Sequence, residues 1–350
     1  MSESAIAADA EARELLERLV SIPSPTPEED ACADALVSFF ESQGREAFRD
    51  DAGNVRAPAD DNVLYTSHID TVPGDIPVRT EAGENGTELW GRGSVDAKGS
   101  LAALAVAAVR AGVSFAGVVG EEVDSRGARH LVADRDPPDA VINGEPSGWD
   151  GITLGYRGIL SGTYGCTSES GHTSRPENNA IQEAIAWWAA VEDRFDGDDA
   201  DAPVFERVTP KPVSVEGGTS DDGLAVEATL GVQLRVPPRY STSDIRELAD
   251  AELGAGTVEW TDSIEPTMQS PRTPVARALR AAIRGAGGDP RLLRKTGTAD
   301  MNIYAGAWDC PMATYGPGDS DLDHAPNEHL ELHELDRAVS VLEAVAERLT

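Results

Sequence analysis

The chain has 350 residues, more than one ordinary core needs, so two domains are the default expectation. It carries 62 acidic against 29 basic residues, a formal net charge of −33, and only Lys98, Lys211 and Lys295 are lysines. That balance excludes the basic footprint of a nucleic-acid binder. Acids spread this evenly suit a halophilic protein, whose self-repulsion is screened by salt; the other reading is an acidic interaction surface.

The N-terminal segment has early acids and no basic-then-apolar arrangement, so no signal peptide is expected. Leu and Ala at helical spacing predict a helix from about Ala7 to Val20, ended by IPSPTPEED. A second helix follows Pro27 and runs to about Gln43, with Ala35, Leu36, Phe39 and Phe40 inward. A strand is expected over Asn62–Ile69, a polar hairpin near Gly83–Trp90, and a buried alanine-rich helix over Ser100–Arg110. Its apolar core, Leu101–Val109, is too short to cross a bilayer, and a soluble cytoplasmic protein is expected. Strands are expected at Ser114–Gly120 and Ala140–Asn143; alternation with helices implies a doubly wound, mainly parallel α/β sheet.

The pattern changes near Tyr156. A helix over Asn178–Arg194, strands near Pro212–Val215 and Leu224–Val236, a helix over Ser243–Leu253 and a strand at Thr257–Asp262 make a smaller α+β unit. The acidic run Asp193–Asp201 reads as a solvated connection. Helix–strand alternation resumes after Pro266–Pro274, so the expected domains are 1–156, 157–267 and 268–350, the first and last forming one discontinuous domain. Cys32, Cys166 and Cys310 are isolated and odd in number; they read as buried small residues of a reducing compartment, not as a disulfide frame or thiolate site.

Polar signatures punctuate the strand ends. In Ser67-His68-Ile69-Asp70, residues two apart share a face, so Asp70 can accept the second imidazole N–H and orient His68 for a metal; a mere surface pair would look the same. Gly91–Gly99 (GRGSVDAKG) fits neither nucleotide-binding glycine spacing, and its Asp96 could instead bridge two cations. Glu121 and Glu122 follow an apolar run, where adjacent carboxylates are costly unless a positive group is near; a solvated strand end is the alternative. Glu145 and His324 sit in NGEP and DHAPNE, whereas His130, His329 and His333 read as surface residues. Together these acids and imidazoles fall at the carboxyl ends of successive elements, where α/β folds gather ligands.

IPSPTPEED, SHIDTVPG, GRGSVDAKG, GEE, GEPS and HAPNE, in this order over essentially the whole chain, resemble the di-zinc amidohydrolase and exopeptidase family. That family includes acetylornithine deacetylase and succinyl-diaminopimelate desuccinylase, aminoacylases and glutamate-releasing carboxypeptidases. The resemblance implies a zinc-binding α/β domain with an inserted lid domain that dimerises. It implies one zinc on His68, Asp96 and Glu145 and another on Asp96, Glu122 and His324, with cobalt an alternative metal. It makes Glu121 the general base, Asp70 the partner of His68, and the Asp96–Ala97 peptide cis.

By the same resemblance His172, in GHTSRP, reaches the substrate carbonyl across a dimer, and Arg235 binds a substrate carboxylate. KTGTADMN, with Lys295, Thr298 and Asp300, resembles a substrate-side loop of the branch that releases lysine or ornithine from the amino-group carrier protein LysW, in lysine or arginine biosynthesis. The alternatives are acetylornithine or succinyl-diaminopimelate hydrolysis, a related aminoacylase or dipeptidase, and a zinc-binding scaffold without catalysis.

Overall fold

The computed structural model describes residues 8–172, 174, 176–196 and 202–349. In chain order the first elements are α1 (Ala10–Val20), α2 (Asp30–Ser42), β1 (Phe48–Arg49), β2 (Val55–Ala57), β3 (Asp60–His68), β4 (Arg79–Ala82) and β5 (Thr87–Trp90). Then come α3 (Lys98–Ala111), β6 (Val113–Val118), α4 (Arg126–Asp134), β7 (Val141–Gly144) and β8 (Gly151–Tyr156). The middle holds β9 (Gly158–Glu169), α5 (Ala180–Asp196), β10 (Thr209–Thr219), β11 (Ala225–Val236), α6 (Thr242–Asp250), β12 (Thr257–Ile264) and β13 (Thr267–Met268). The chain finishes with α7 (Pro274–Gly285), β14 (Arg291–Lys295), α8 (Asp300–Ala307), β15 (Met312–Thr314), β16 (His329–Glu331) and α9 (Leu332–Leu349).

These elements form two compact units. The larger runs to Leu154 and resumes at Gln269–Leu293 and from Ala299 onward; the smaller comprises Gly155–Met268 and Arg294–Thr298. The smaller unit therefore takes in, besides the residues between 155 and 268, a five-residue stretch of the KTGT loop that sequence periodicity did not separate from its neighbours.

The central sheet of the larger unit has the order β1-β2-β6-β3-β7-β15-β8. β6, β3, β7 and β15 are parallel, and β1/β2, β2/β6 and β15/β8 are antiparallel pairs. Every residue of β6 and the last six of β3 are buried, as expected of strands covered on both faces. From Lys98 to Ala108 every residue of α3 is buried. Its alanines let the helix lie close to β3 and β6 on one side and to α1 and α9 on the other. Gly112, at φ 70°, ends it in the left-handed region and turns the chain into β6. The C-terminal helix is tied to the N-terminal one through Asp336, which accepts from the Arg13 Nε and the Asp9 amide.

The smaller unit is an antiparallel sheet in the order β10-β11-β9-β12 with α5 and α6 against it. Its core gathers Trp187 stacked on Tyr164, Trp188, Val191, Leu230, Val232 and Ile245. β13 pairs with the end of β8, Thr267 opposite Tyr156. Of the acidic run expected as a connection, residues 197–201 lie outside the described ones.

The nine-residue α4 was not legible in the sequence, and Cys166 and Cys310 are half-buried where burial was expected; Cys32 alone is fully buried. α4 packs closely because Gly127 lies in its first turn. A Cβ there would come within 2.5 Å of the Val119 nitrogen, 2.6 Å of its carbonyl oxygen and 2.3 Å of Asn54 Oδ1. Backbone cannot give way as a side chain can. Gly127→Ala should therefore cost about 1–3 kcal/mol, read as a lower urea midpoint with unchanged slope; an unchanged midpoint would contradict this packing.

Candidate metal centre at the strand ends

Three neighbouring parallel strands, β6-β3-β7, deliver the first donors at their carboxyl ends. β3 ends on His68, β6 leads through Gly120 (φ 75°) into the turn with Glu121 and Glu122, and β7 leads into Glu145. Asp96 precedes α3, and its peptide to Ala97 is cis. His324 comes from a loop near the C-terminus and holds φ 60°, a left-handed conformation that costs a non-glycine residue about 1–2 kcal/mol.

The Asp96 carboxylate is divided between the two imidazoles: Oδ1 lies 3.1 Å from His68 Nε2 and Oδ2 lies 3.2 Å from His324 Nε2. Glu145 Oε1 is 3.9 Å from His68 Nε2, and Glu122 Oε2 is 3.0 Å from His324 Nε2. Two groups of potential ligands result, His68–Asp96–Glu145 and Asp96–Glu122–His324, each with its ligand atoms within 4.8 Å of one another. All donors are imidazole nitrogens or carboxylate oxygens, a set suited to a borderline or hard divalent cation.

Asp70 is fully buried and meets the His68 ring through its backbone as well as its carboxylate. His68 Nδ1 lies 2.9 Å from the Asp70 backbone oxygen and 3.6 Å from Oδ1. The carboxylate oxygens also accept from the Glu121 and Glu122 amides, each at 3.1 Å, and from Thr26 Oγ1 at 2.6 Å. Asp70 thus fastens the Glu121–Glu122 turn to the end of β3.

The local field is dominated by crowded carboxylates. Burial pushes the Glu121 carboxyl well above its usual range, and Glu145 adds to this. Burial and Asp96 bring Glu122 up to about 7. Asp96 is held far below the usual carboxylate range: burial opposes this, and His324 and His68 outweigh it. Asp96 raises His324 to about 9 against its burial. His68 is raised although burial opposes it, because Asp70, Asp96 and Glu145 surround it. A pocket of this kind favours added positive charge.

Asp300, at the start of α8, is 1 % exposed; burial raises it to about 7. The smaller unit holds the remaining candidates. His172 is exposed with Nδ1 2.8 Å from Ser174 Oγ. Arg235 is half-buried, its Nη1 3.5 Å from Thr298 Oγ1, and Lys295 is half-buried in the same unit. Sequence reasoning missed two supports of the larger unit. Thr26 lies inside the quoted IPSPTPEED run and Glu328 inside HAPNE, so both were in view, but nothing local marks either as buried or bonded. Lys98, noted only for its rarity, is 1 % exposed and donates through Nζ to the Leu19 and Ile22 carbonyls.

Comparison with known proteins places the fold and the chain. Residues 64–348 match the peptidase family M20/M25/M40. The chain is 41 % identical to a LysW-lysine hydrolase of Deinococcus radiodurans, covering 97 % of each protein. It is 30 % identical to a LysW-lysine/LysW-ornithine hydrolase of Sulfurisphaera tokodaii, covering 92 % of this chain and 91 % of that one. The structure resembles a tripeptidase of Staphylococcus aureus with a TM-score of 0.77 at 20 % identity, over 97 % of this chain and 98 % of that one. It also resembles a dinuclear metal-binding M20 peptidase of Bacillus subtilis, with a TM-score of 0.69 at 13 % identity over 96 % of each. By a match extending over most of its length, the chain belongs to peptidase family M20/M25/M40.

Proposed function

We propose that the protein hydrolyses the amide linking lysine or ornithine to a LysW-type amino-group carrier protein, in lysine or arginine biosynthesis in the cytoplasm. What carries this reading is the 41 % identity, over nearly the full length of both chains, to a protein named LysW-lysine hydrolase. The five-ligand donor set at the strand ends supports a hydrolytic reaction of the same kind.

Two zinc ions, or cobalt in their place, would be held by His68, Asp96 and Glu145 and by Asp96, Glu122 and His324, with Asp96 shared. When bound, such a pair supplies Lewis acidity that activates water and polarises the amide carbonyl. Glu121 then takes the proton of the attacking water and passes it to the leaving amine. Asp70 keeps that base in place by accepting the Glu121 amide. His172 donates to the substrate carbonyl oxygen. Arg235 binds a substrate carboxylate, and Lys295, Thr298 and Asp300 contact the remainder of the substrate.

The subunit works as a homodimer through the smaller unit, which acts as a lid. β10 is an edge strand with Val213 and Val215 exposed, and α5 beside it exposes Ile185. An unpaired edge next to apolar side chains favours association with a second copy. The charge of −33 suits work at high salt.

Four measurements test this reading. In several molar salt, the zinc-loaded protein should release lysine or ornithine from the carrier at least 100-fold faster than it hydrolyses acetylornithine or succinyl-diaminopimelate; the reverse ranking would move it to another branch. Glu121→Ala should lower kcat by at least about 100-fold while two metals remain bound.

The metal-free protein should lose stability as pH rises. Glu122 at about 7 and His324 at about 9 have folded-state values above their usual ones, so their contributions are full at low pH and lost through those values. Cation binding replaces those protons, so the stabilisation by metal should grow between pH 6 and 9 in calorimetry; a pH-independent increment would refute this.

Combining Val215→Asp with Ile185→Asp should give a monomer by light scattering.

A further inference from the structure

Strand pairing brings a carboxylate to the loop that carries Asp96. β16 pairs with β5 so that His329 faces Trp90, and the pairing continues one residue further, the Gly91 amide reaching the Glu328 carbonyl at 3.4 Å. Glu328, which begins this pairing, is fully buried. Its Oε1 accepts from the Val95 and Asp96 amides at 2.9 and 3.0 Å. Its Oε2 accepts from the Gly93 amide at 3.0 Å and from Arg92 Nη1 at 2.8 Å. One carboxylate therefore satisfies three loop amides and a guanidinium, including the amide of Asp96 itself.

The same residue lies four positions after His324 in His324-Ala325-Pro326-Asn327-Glu328. A short tether containing proline leaves little freedom between the anchored carboxylate and the imidazole. His324 keeps a left-handed backbone, which persists only where the surroundings determine it. The loop of Asp96 and the loop of His324 are thus clamped at one point, and the two side chains meet at 3.2 Å.

We propose that Glu328 is a positioning residue for the metal pair: it sets the separation of Asp96 and His324 and so the geometry of both cation sites. This rests on the two-metal reading above. Glutamine has the same shape but one acceptor oxygen, and its NH2 would face the donors of Gly93 and Arg92. Glu328→Gln should therefore fold yet release both loops, whereas a residue that merely fills space would tolerate the amide.

The test compares wild type, Glu328→Gln and Glu328→Asp, each loaded with Co²⁺ or Zn²⁺. For Glu328→Gln we expect metal affinity in chelator competition at least about tenfold weaker and an altered Co²⁺ visible spectrum. At saturating metal, kcat should fall at least about tenfold with KM within about twofold. Amide exchange in the 91–98 segment of the metal-free protein should be faster. Glu328→Asp, which keeps the charge but shortens the reach, should fall between the two and decides the matter if the glutamine variant does not fold. Wild-type affinity, spectrum and exchange in the folded variant would overturn the proposal, as would a loss of thermal stability with all three unchanged. Failure of wild type itself to bind two Co²⁺ would overturn the two-metal reading, whereas two-metal binding without amide hydrolysis would overturn only the assigned reaction.

Discussion

The structure turns on one shared carboxylate. Asp96 presents one oxygen to His68 and the other to His324, residues separated by more than two hundred and fifty positions in the chain. Everything that fixes Asp96 fixes both imidazoles at once, and the supports are correspondingly dense. Lys98 pins the start of α3 to the end of α1, and Glu328 takes the amides of the preceding loop. Asp70 performs the same service for the Glu121–Glu122 turn. Each of these charged groups is buried, and each is matched by several donors or acceptors, which is the condition under which burial is tolerated.

Much of this could be read from the sequence because three of the candidate ligands, His68, Glu122 and Glu145, come at strand ends, where short polar runs interrupt apolar ones. The β3, β6 and β7 segments were legible for that reason, and the mainly parallel sheet with an interrupting α+β unit followed from element order. What stayed hidden depends on contacts in space. β1 and β2 have only two and three residues, too few for a periodic signal. α4 begins after Ser125, whose φ of 52° precedes the helix and whose side chain makes no cap bond, so no start signal was written there. That the Asp70 backbone oxygen also faces the His68 ring was out of reach, since spacing on a strand shows which side chains share a face but not where backbone oxygens lie. Glu328 carries no local mark at all; its importance comes from the register of β16 against β5.

The extreme acidity of the chain gives the centre an unusual setting. Around the ligands, carboxylates already outnumber imidazoles, and burial raises Glu121 and Glu122 further. The surface adds the same sign of charge, so the low lysine count and the crowded centre act together in drawing cations inward. The buried Lys98 ammonium donates to two backbone carbonyls inside the protein.

The order of the ligands along the chain has a consequence for how the protein matures. His68, Asp96, Glu122 and Glu145 all precede the inserted unit, whereas His324 follows it. β15 and α9, which also follow it, complete the sheet and the core of the unit that holds the other four. Both donor trios would therefore be completed only once the chain has returned to that unit.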